Sequence, residues 1–332
     1  MADELSKITF NFFIFATLKY ASFKYMIMKY LKFFASILLL CFVMTACTKE
    51  GQYAPKKKIS KVTFTETLKM EEWTGSGWGN AWVDTVSSFL VQQWNWRGKR
   101  LESIDYFNSN NQPEYTHSFT YDGKRISAIS YGSYRYEFVY DNDVLTAIEY
   151  YYGSEHTATC AIRHESGKIT KLTFTELSSK AAQMAPLPLC GLSLPFPTQH
   201  FQALKQMGNT KGSDDCEYTF EWDGDNVSHL VFTSQNRNIE YYFTYDNKLN
   251  PLYGLWDDQA TQNDMVAEGF YTTLSKNNIT RCECLEGGER YHYDYTYVYS
   301  GKYPTSITCT FQLEQANVSR TAYSYTHTYE YR

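Results

Sequence analysis

One short unit recurs along this chain and limits what it can fold into. Phe119-Thr-Tyr121-Asp-Gly-Lys-Arg-Ile126-Ser-Ala-Ile129 returns as Phe138-Val-Tyr140-Asp-Asn-Asp-Val-Leu145-Thr-Ala-Ile148. Two more copies are Phe220-Glu-Trp222-Asp-Gly-Asp-Asn-Val227-Ser-His-Leu230 and Phe243-Thr-Tyr245-Asp-Asn-Lys-Leu-Asn250-Pro-Leu-Tyr253. Looser copies centre on Trp96, His164, Leu274 and Tyr299. In each, a large residue is followed five and eight positions later by further, mostly apolar, residues. Alternation puts Tyr136, Phe138 and Tyr140 on one face and Arg135, Glu137 and Val139 on the other, the period of a strand. Asp-Gly or Asp-Asn then tolerates the positive φ of a tight turn, and a β-branched strand returns. Each unit therefore predicts a β-hairpin, and consecutive hairpins predict an antiparallel meander.

Copies lie 19 to 29 residues apart, except for 58 residues between His164 and Trp222. With strands near Ile59–Leu68 and Thr321–Arg332 the chain is all-β, with roughly 16 to 18 strands. An open twisted sheet of that size curls, so a single barrel-like domain is expected over 59–332. The long gap is an insertion, 176–215. Four prolines (186, 188, 195, 197) exclude regular structure from its centre, while Thr198 to Met207 can form a short helix capped by Thr198 and ended by Gly208. Its Phe201 and Leu204 favour a plug across the sheet over a surface loop.

The first 47 residues read as an address. Lys29 and Lys32 precede an apolar run from Phe33 to Val43, too short for a permanent membrane span. Met44-Thr-Ala-Cys47 resembles a bacterial lipobox, in which Cys47 is acylated and becomes the new N-terminus; Met44 departs from the usual Leu, Val or Ile. An ordinary cleaved signal and an uncleaved anchor are the alternatives. Asp3 and Glu4 are foreign to a signal, so translation is expected to start at Met28, or else at Met26. Losing five lysines (7, 19, 24, 29, 32) and these two acids takes 31 basic and 36 acidic residues to 26 and 34, a net charge of −8. That balance argues against a nucleic-acid partner. Residues 48–58 then read as a solvated tether. Thr48 and Lys49 in place of an Asp beside the Cys favour the outer membrane, with either a periplasmic-facing or a surface-exposed barrel.

The Tyr-Asp unit resembles the YD repeats of cell-surface wrapping proteins. Tyr245-Asp-Asn-Lys-Leu-Asn-Pro-Leu-Tyr-Gly-Leu255, Leu274-Ser-Lys-Asn-Asn-Ile-Thr280 and Tyr303-Pro-Thr-Ser-Ile-Thr308, together with the lipobox, are similar to a Bacteroidetes lipoprotein family of unknown function with a porin-like fold. The resemblance covers about residues 59–332. It implies a meandering β-architecture and supplies no catalytic residues. The charged alternate positions do not suit the aliphatic outer band of a membrane barrel, so a curved β-structure with its aromatics inside is expected.

Six cysteines remain after the leader: 160, 190, 216, 282, 284 and 309. Cys190 with Cys216, bracketing the insertion, is the candidate disulfide. If Gly287-Gly288 turns a hairpin, Cys282 faces Tyr293, which in turn lies near Cys309 one strand further on. That separation is roughly 9–10 Å, beyond disulfide reach. His292 falls on the other face, so no zinc ligand set forms. Trp222-Asp-Gly-Asp-Asn226 mimics part of a calcium loop without its final Glu and is explained as a turn. No nucleophile elbow, zinc helix or phosphate loop is present, so neither catalytic residues nor a cofactor is assigned.

Trp73, Trp78, Trp82, Trp94 and Trp96 fall within 24 residues, interleaved with Gly75, Gly77 and Gly79. Trp94 and Trp96 belong to the repeat and are expected in the core. Trp73, Trp78 and Trp82 read as carried on glycine-rich loops, which suit capture of a glycan or peptide. Asp84-Thr-Val86 resembles a Bacteroidetes O-glycosylation sequon. The leading expectation is a non-enzymatic, outer-membrane-anchored lipoprotein that binds glycan, peptide or an envelope protein. A structural or assembly lipoprotein, and a hydrolase with its site inside the curl, are the alternatives.

Overall fold

The computed structural model describes residues 51–73, 78–177, 216–234, 238–256, 273–315 and 318–332. Sixteen antiparallel strands run in chain order. They are β1 (Ile59–Trp73), β2 (Trp78–Arg97), β3 (Arg100–Phe107), β4 (Pro113–Asp122), β5 (Arg125–Tyr131), β6 (Tyr134–Asp141), β7 (Val144–Tyr152) and β8 (Glu155–Glu165). The second half holds β9 (Lys168–Glu176), β10 (Cys216–Asp223), β11 (Asn226–Thr233), β12 (Asn238–Leu249), β13 (Asn277–Glu286), β14 (Glu289–Ser300), β15 (Tyr303–Gln315) and β16 (Val318–Tyr331). Each pairs with its neighbours in sequence, and β1 pairs with β16, so the meander closes into a barrel. Closure removes the free edges that an open sheet of this length would expose.

The turns of the repeat all fall at one end, because every second connection of a meander does. They are two-residue turns: Asp122 pairs with Arg125, Asp141 with Val144, and Asp223 with Asn226. In the Asp141 turn both central residues have positive φ, Asn142 at 48° and Asp143 at 70°. This is the turn that matches strand twist, and Asn and Asp tolerate it best after Gly.

Immediately before each turn the register slips by one residue, at Asn95/Trp96, Thr120/Tyr121, Val139/Tyr140, Arg163/His164 and Glu221/Trp222. Such bulges re-aim the following side chain. The re-aimed ring reaches back to the preceding hairpin and donates to the carbonyl of its residue five positions after the ring. Tyr121 bonds Leu101 at 2.8 Å, Tyr140 bonds Ile126 at 2.9 Å, Trp222 bonds Ile169 at 2.6 Å, and Tyr245 bonds Val227 at 2.6 Å. On the two strands that flank the β16–β1 seam, Trp96 Nε1 of β2 bonds the Ile59 carbonyl of β1 at 2.8 Å and Tyr331 of β16 bonds the Pro304 carbonyl of β15 at 2.6 Å. Tyr297 makes the corresponding bond to Ile279.

The same five-residue position supplies the core. Leu101, Ile126, Leu145, Ile169 and Val227 are all buried, as are the eight-residue positions Ile104, Ile129, Ile148, Leu172 and Leu230. They join the aromatic residues in one continuous interior cluster. Trp94 and Trp96 lie within it, 6.3 Å apart and stacked. The outward positions are polar: Arg135 meets Glu137 at 2.9 Å, Lys171 meets Glu217 at 2.6 Å, and Arg281 meets its cross-strand partner Asp294 at 3.0 Å. Hydroxyl pairs such as Thr308 with Thr326, at 2.8 Å, run along the same face.

Two details of the repeat differ from expectation. The copies at Tyr245 and Leu274 are two halves of one hairpin, with residues 250–276 between β12 and β13 in place of a tight turn. Gly287 and Gly288 do turn β13 into β14 and Cys282 does face Tyr293, but Cys309 pairs with Tyr295 rather than beside Tyr293. Cys160, Cys282, Cys284 and Cys309 carry buried thiols. Of the insertion expected over 176–215, residues 178–215, which include the expected helix span, the four prolines and Cys190, lie outside the described residues, so the Cys190–Cys216 pairing does too.

Two measurements check this account. Tyr140→Phe leaves the Ile126 carbonyl without its donor and should cost about 1–2 kcal/mol in guanidinium unfolding, whereas Tyr152→Phe, half exposed on the wall, should cost under about 0.5 kcal/mol. His327 packs against Phe64 (5.5 Å) and Tyr325 (5.4 Å), and burial lowers its pKa to about 4. Its folded form therefore resists protonation while the unfolded form titrates near 6.5. Stability should be full above about pH 6.5 and fall by about 2–3 kcal/mol as the pH drops to 4.5. His327→Phe should narrow the gap between unfolding midpoints at pH 7.5 and 4.5.

Candidate functional site

With the aromatic repeat committed to the core and clasps, candidate sites are confined to the barrel's ends and to what extends beyond them. At the far end, opposite the repeat turns, one element outruns its neighbours. β1 pairs with β16 only as far as Thr67 with Ser324, and β2 pairs with β3 only from Gln92 with Tyr106. β1 and β2 continue to pair with each other past Leu68–Asp84 and Met70–Trp82 to Trp73–Trp78. Among the described residues this stretch is a two-stranded arm with no further strand on either side. A two-stranded ribbon is marginal by itself, so its anchorage is the barrel below it.

Of the three tryptophans assigned to ligand capture, the register makes Trp73 and Trp78 a direct cross-strand pair. Trp82 lies four residues down β2, opposite Met70. They sit on strands and not in a glycine-rich loop: only 74–77 separate the two strands, and Gly79 is inside β2. At the arm's base the Leu90 amide is capped by the Asn111 side chain at 2.9 Å.

The turn end holds a feature that composition hid. Within the segment read as a solvated tether, Ala54 and Lys56 are exposed, but Gly51 and Tyr53 are buried. The Gly51 carbonyl accepts from the Ile126 amide at 3.0 Å. Gly51 has φ +75°, and an added Cβ would sit 2.0 Å from the Tyr140 hydroxyl oxygen, so no other residue fits without rearrangement. Tyr53 lays its ring against Trp94 (6.3 Å) and Trp96 (5.8 Å) and donates to the Pro251 carbonyl at 2.8 Å. Burial pushes its phenol well above the ordinary value. The segment therefore joins β2, β5 and β6 on one side of the mouth to the β12–β13 connection on the other. An aromatic among lysines and proline was the available signal.

Polar clusters at this end hold turns together. Asp225 meets Lys276 at 2.7 Å and Lys168 at 3.3 Å, and the Lys276 hydrogen bond holds its carboxyl below the usual range. This confirms Trp222-Asp-Gly-Asp-Asn226 as a turn. Asp246 accepts from the Lys248 amide at 2.8 Å and from the Tyr299 hydroxyl, whose pKa is raised chiefly by burial. Among the described residues no group of three or more His, Cys, Asp or Glu side chains could hold a metal ion. His292 pairs with Glu283 and contacts Asp294 at 3.4 Å, away from the cysteines. Cys47 lies outside the described residues.

Tyr53→Ala should lower stability by about 3 kcal/mol, as expected for deleting a buried ring, and Gly51→Ala should also destabilise through its φ and the Tyr140 contact. Equal unfolding midpoints for wild type and Tyr53→Ala would place the segment outside the barrel.

No protein-family model matches the sequence. No curated protein matches it either. Among solved structures, it is similar to a porin-like protein from Bacteroides uniformis ATCC 8492, at 12% identity over 85% of this chain and 100% of that one, with a TM-score of 0.45. A porin-like protein from Bacteroides vulgatus ATCC 8482 aligns at 10% identity over 83% of this chain and 99% of that one, with a TM-score of 0.44.

Proposed function

We propose that this protein is a lipid-anchored, non-catalytic barrel of the bacterial cell envelope, held to the outer membrane through Cys47, that captures a glycan or a peptide on its tryptophan arm. The observation that carries the binding role is the arm itself. A closed barrel has no need of a two-stranded extension, yet β1 and β2 keep pairing beyond their neighbours until Trp73 meets Trp78. Paired tryptophans offer large, rigid apolar area at small entropic cost, which suits stacking on sugar rings or gripping an extended peptide.

The wall supports a barrel that sits in water beside the membrane. Its outward face carries the Arg135–Glu137, Lys171–Glu217 and Arg281–Asp294 pairs, whereas a lipid-facing wall needs an apolar band. Its interior face is apolar and buried, unlike the polar lining of a conducting lumen. A protein of this kind reaches the membrane through an anchor, and the lipobox-like sequence ending at Cys47 supplies one. Acyl chains on that residue, each adding buried methylenes, give stable attachment where one chain alone would not.

A glycan array probed with wild type and Trp78→Ala tests the arm: binding that falls at least tenfold in the variant supports capture, and an unaffected hit or no hit removes it. Labelled palmitate should enter the wild-type protein and not Cys47→Ser, with equal labelling excluding the anchor.

A further inference from the structure

The turn end of the barrel is electrically divided, and we infer that its basic half is a docking surface for the anionic headgroups of the membrane to which the protein is anchored. Adjacency of the strands orders the rim. The β14–β15 turn is followed by the β16–β1 seam, then the β2–β3 turn, then the β4–β5 turn. The seam contributes Lys56, Lys57, Lys58 and Arg332. The β2–β3 turn adds Arg97, Lys99 and Arg100, and the flanking turns add Lys302 on one side and Lys124 and Arg125 on the other. Within these segments, 56–58, 97–100, 122–125, 300–303 and 331–332, the acid is Asp122. From outside them Glu102 pairs with Arg97 at 2.6 Å and Asp143 with Arg125 at 2.8 Å, which leaves an excess of cations carried chiefly by the lysines. The remaining rim is the opposite. Its turns carry Asp141, Asp143, Glu165, Asp223, Asp225 and Asp246 against Lys168, Lys248 and Lys276. A chain that is acidic as a whole thus carries ten of its 31 cations on one continuous arc.

The arc is built as a surface. Lys58 donates to the Gly98 carbonyl and Arg100 to the Gly123 carbonyl, so a cation of each segment grips the next turn along the rim. Lys58 and Arg100 also lie over the Trp96 and Tyr121 rings, at 5.4 Å each. These bonds fix the spacing of neighbouring turns, while Lys56, Lys99, Lys124 and Lys302 stay exposed between them. Flexible lysines on a braced arc suit a layer of phosphates, which needs charge without a defined pocket.

Chain length selects this partner. Gly51 is buried at this end beside Tyr140 and Ile126, four residues after Cys47. Four residues span at most about 14 Å, comparable to the distance over which salt screens charge at physiological strength. Acyl chains on Cys47 would therefore leave little slack between the rim and the lipid headgroups, and the uneven charge would tilt the barrel with its basic arc toward them. The opposite end, with the tryptophan arm, then points away from the membrane. This orientation rests on the anchoring proposed above.

The test uses the acylated protein in vesicles of phosphatidylcholine, with and without one fifth phosphatidylglycerol, containing a headgroup-labelled quencher lipid. A fluorophore is placed through Ser300→Cys on the rim or Asn110→Cys at the far end. Quenching at position 300 should exceed that at 110 several-fold in the anionic vesicles. It should drop toward the far-end value in 0.5 M salt and in a variant combining Lys56→Glu, Lys99→Glu, Lys124→Glu and Lys302→Glu. Equal quenching at both positions, or rim quenching indifferent to lipid charge, salt and the reversals, overturns the assignment. Palmitate labelling of the same preparation reports on the anchor separately. If no palmitate is incorporated, the anchor reading fails; flotation with anionic vesicles that salt and the four reversals abolish still upholds the rim, and flotation they leave unchanged overturns it.

Discussion

The hydrogen bond from a repeat's ring to the carbonyl of the preceding hairpin is the contact that ties each hairpin of the barrel to the one before it. At the turn end, six of the sixteen strand pairs are joined by a two-residue turn and β12 with β13 by residues 250–276, whereas the remaining pairs have their connection at the far end or, at the seam, none. The clasp falls on the unjoined pairs: Tyr121 of β4 holds Leu101 of β3, and Tyr140 of β6 holds Ile126 of β5. Both partners are backbone or ring groups shielded from water, so leaving one unmade costs more than making it contributes. The seam between β16 and β1, where no covalent connection exists at either end, is held differently. Ring clasps secure the strand on each side of it, Trp96 of β2 reaching Ile59 of β1 and Tyr331 of β16 reaching Pro304 of β15. Across the seam itself runs the backbone ladder, extended by the Arg332 amide on the Lys58 carbonyl at 3.0 Å and the Ser60 hydroxyl on the Glu330 carbonyl at 3.1 Å.

This economy explains why so aromatic a protein presents so polar a wall. A tyrosine with its ring inside and its hydroxyl on a neighbour's carbonyl fills volume and satisfies backbone at once. The outward positions are left mainly to Thr, Ser, Glu, Lys and Arg, many of which pair across strands, with Val139, Tyr242 and Val298 among the exceptions. The places where the repeat is broken are then the candidate sites for recognition: the arm that outruns the wall, the connection between β12 and β13, and the entering segment at Gly51–Tyr53. All three lie at barrel ends, where loop and strand length can vary without disturbing the clasps.

Much of this was legible in the residues, and the misses have physical causes. The positions five and eight after each ring read correctly as core because burial repeats with the strand period. Their carbonyl role was invisible, since the acceptor is backbone and leaves no side-chain signature. Tyr245 and Leu274 read as two hairpins because each half keeps the local pattern, although only pairing reveals that β12 and β13 are one broken unit. Tyr53 read as tether because local composition around it is lysine and proline, whereas its burial is decided by Trp94, Trp96 and Pro251, up to 198 residues away. The tryptophans at 73, 78 and 82 read as loop residues from their glycines, yet cross-strand pairing carries the strands through Gly79.

The sequence by itself determined the strand period, the two-residue turns, the core positions and the all-β class, because each is set within a dozen residues by alternation and turn chemistry. Tertiary structure alone decided that β1 meets β16, that the entering segment seals one mouth, that the arm outruns the wall, and that cations scattered from Lys56 to Arg332 form a single arc. Those outcomes depend on which distant strands become neighbours, and neighbourhood around a closed barrel is a property of register and closure rather than of any local run of residues.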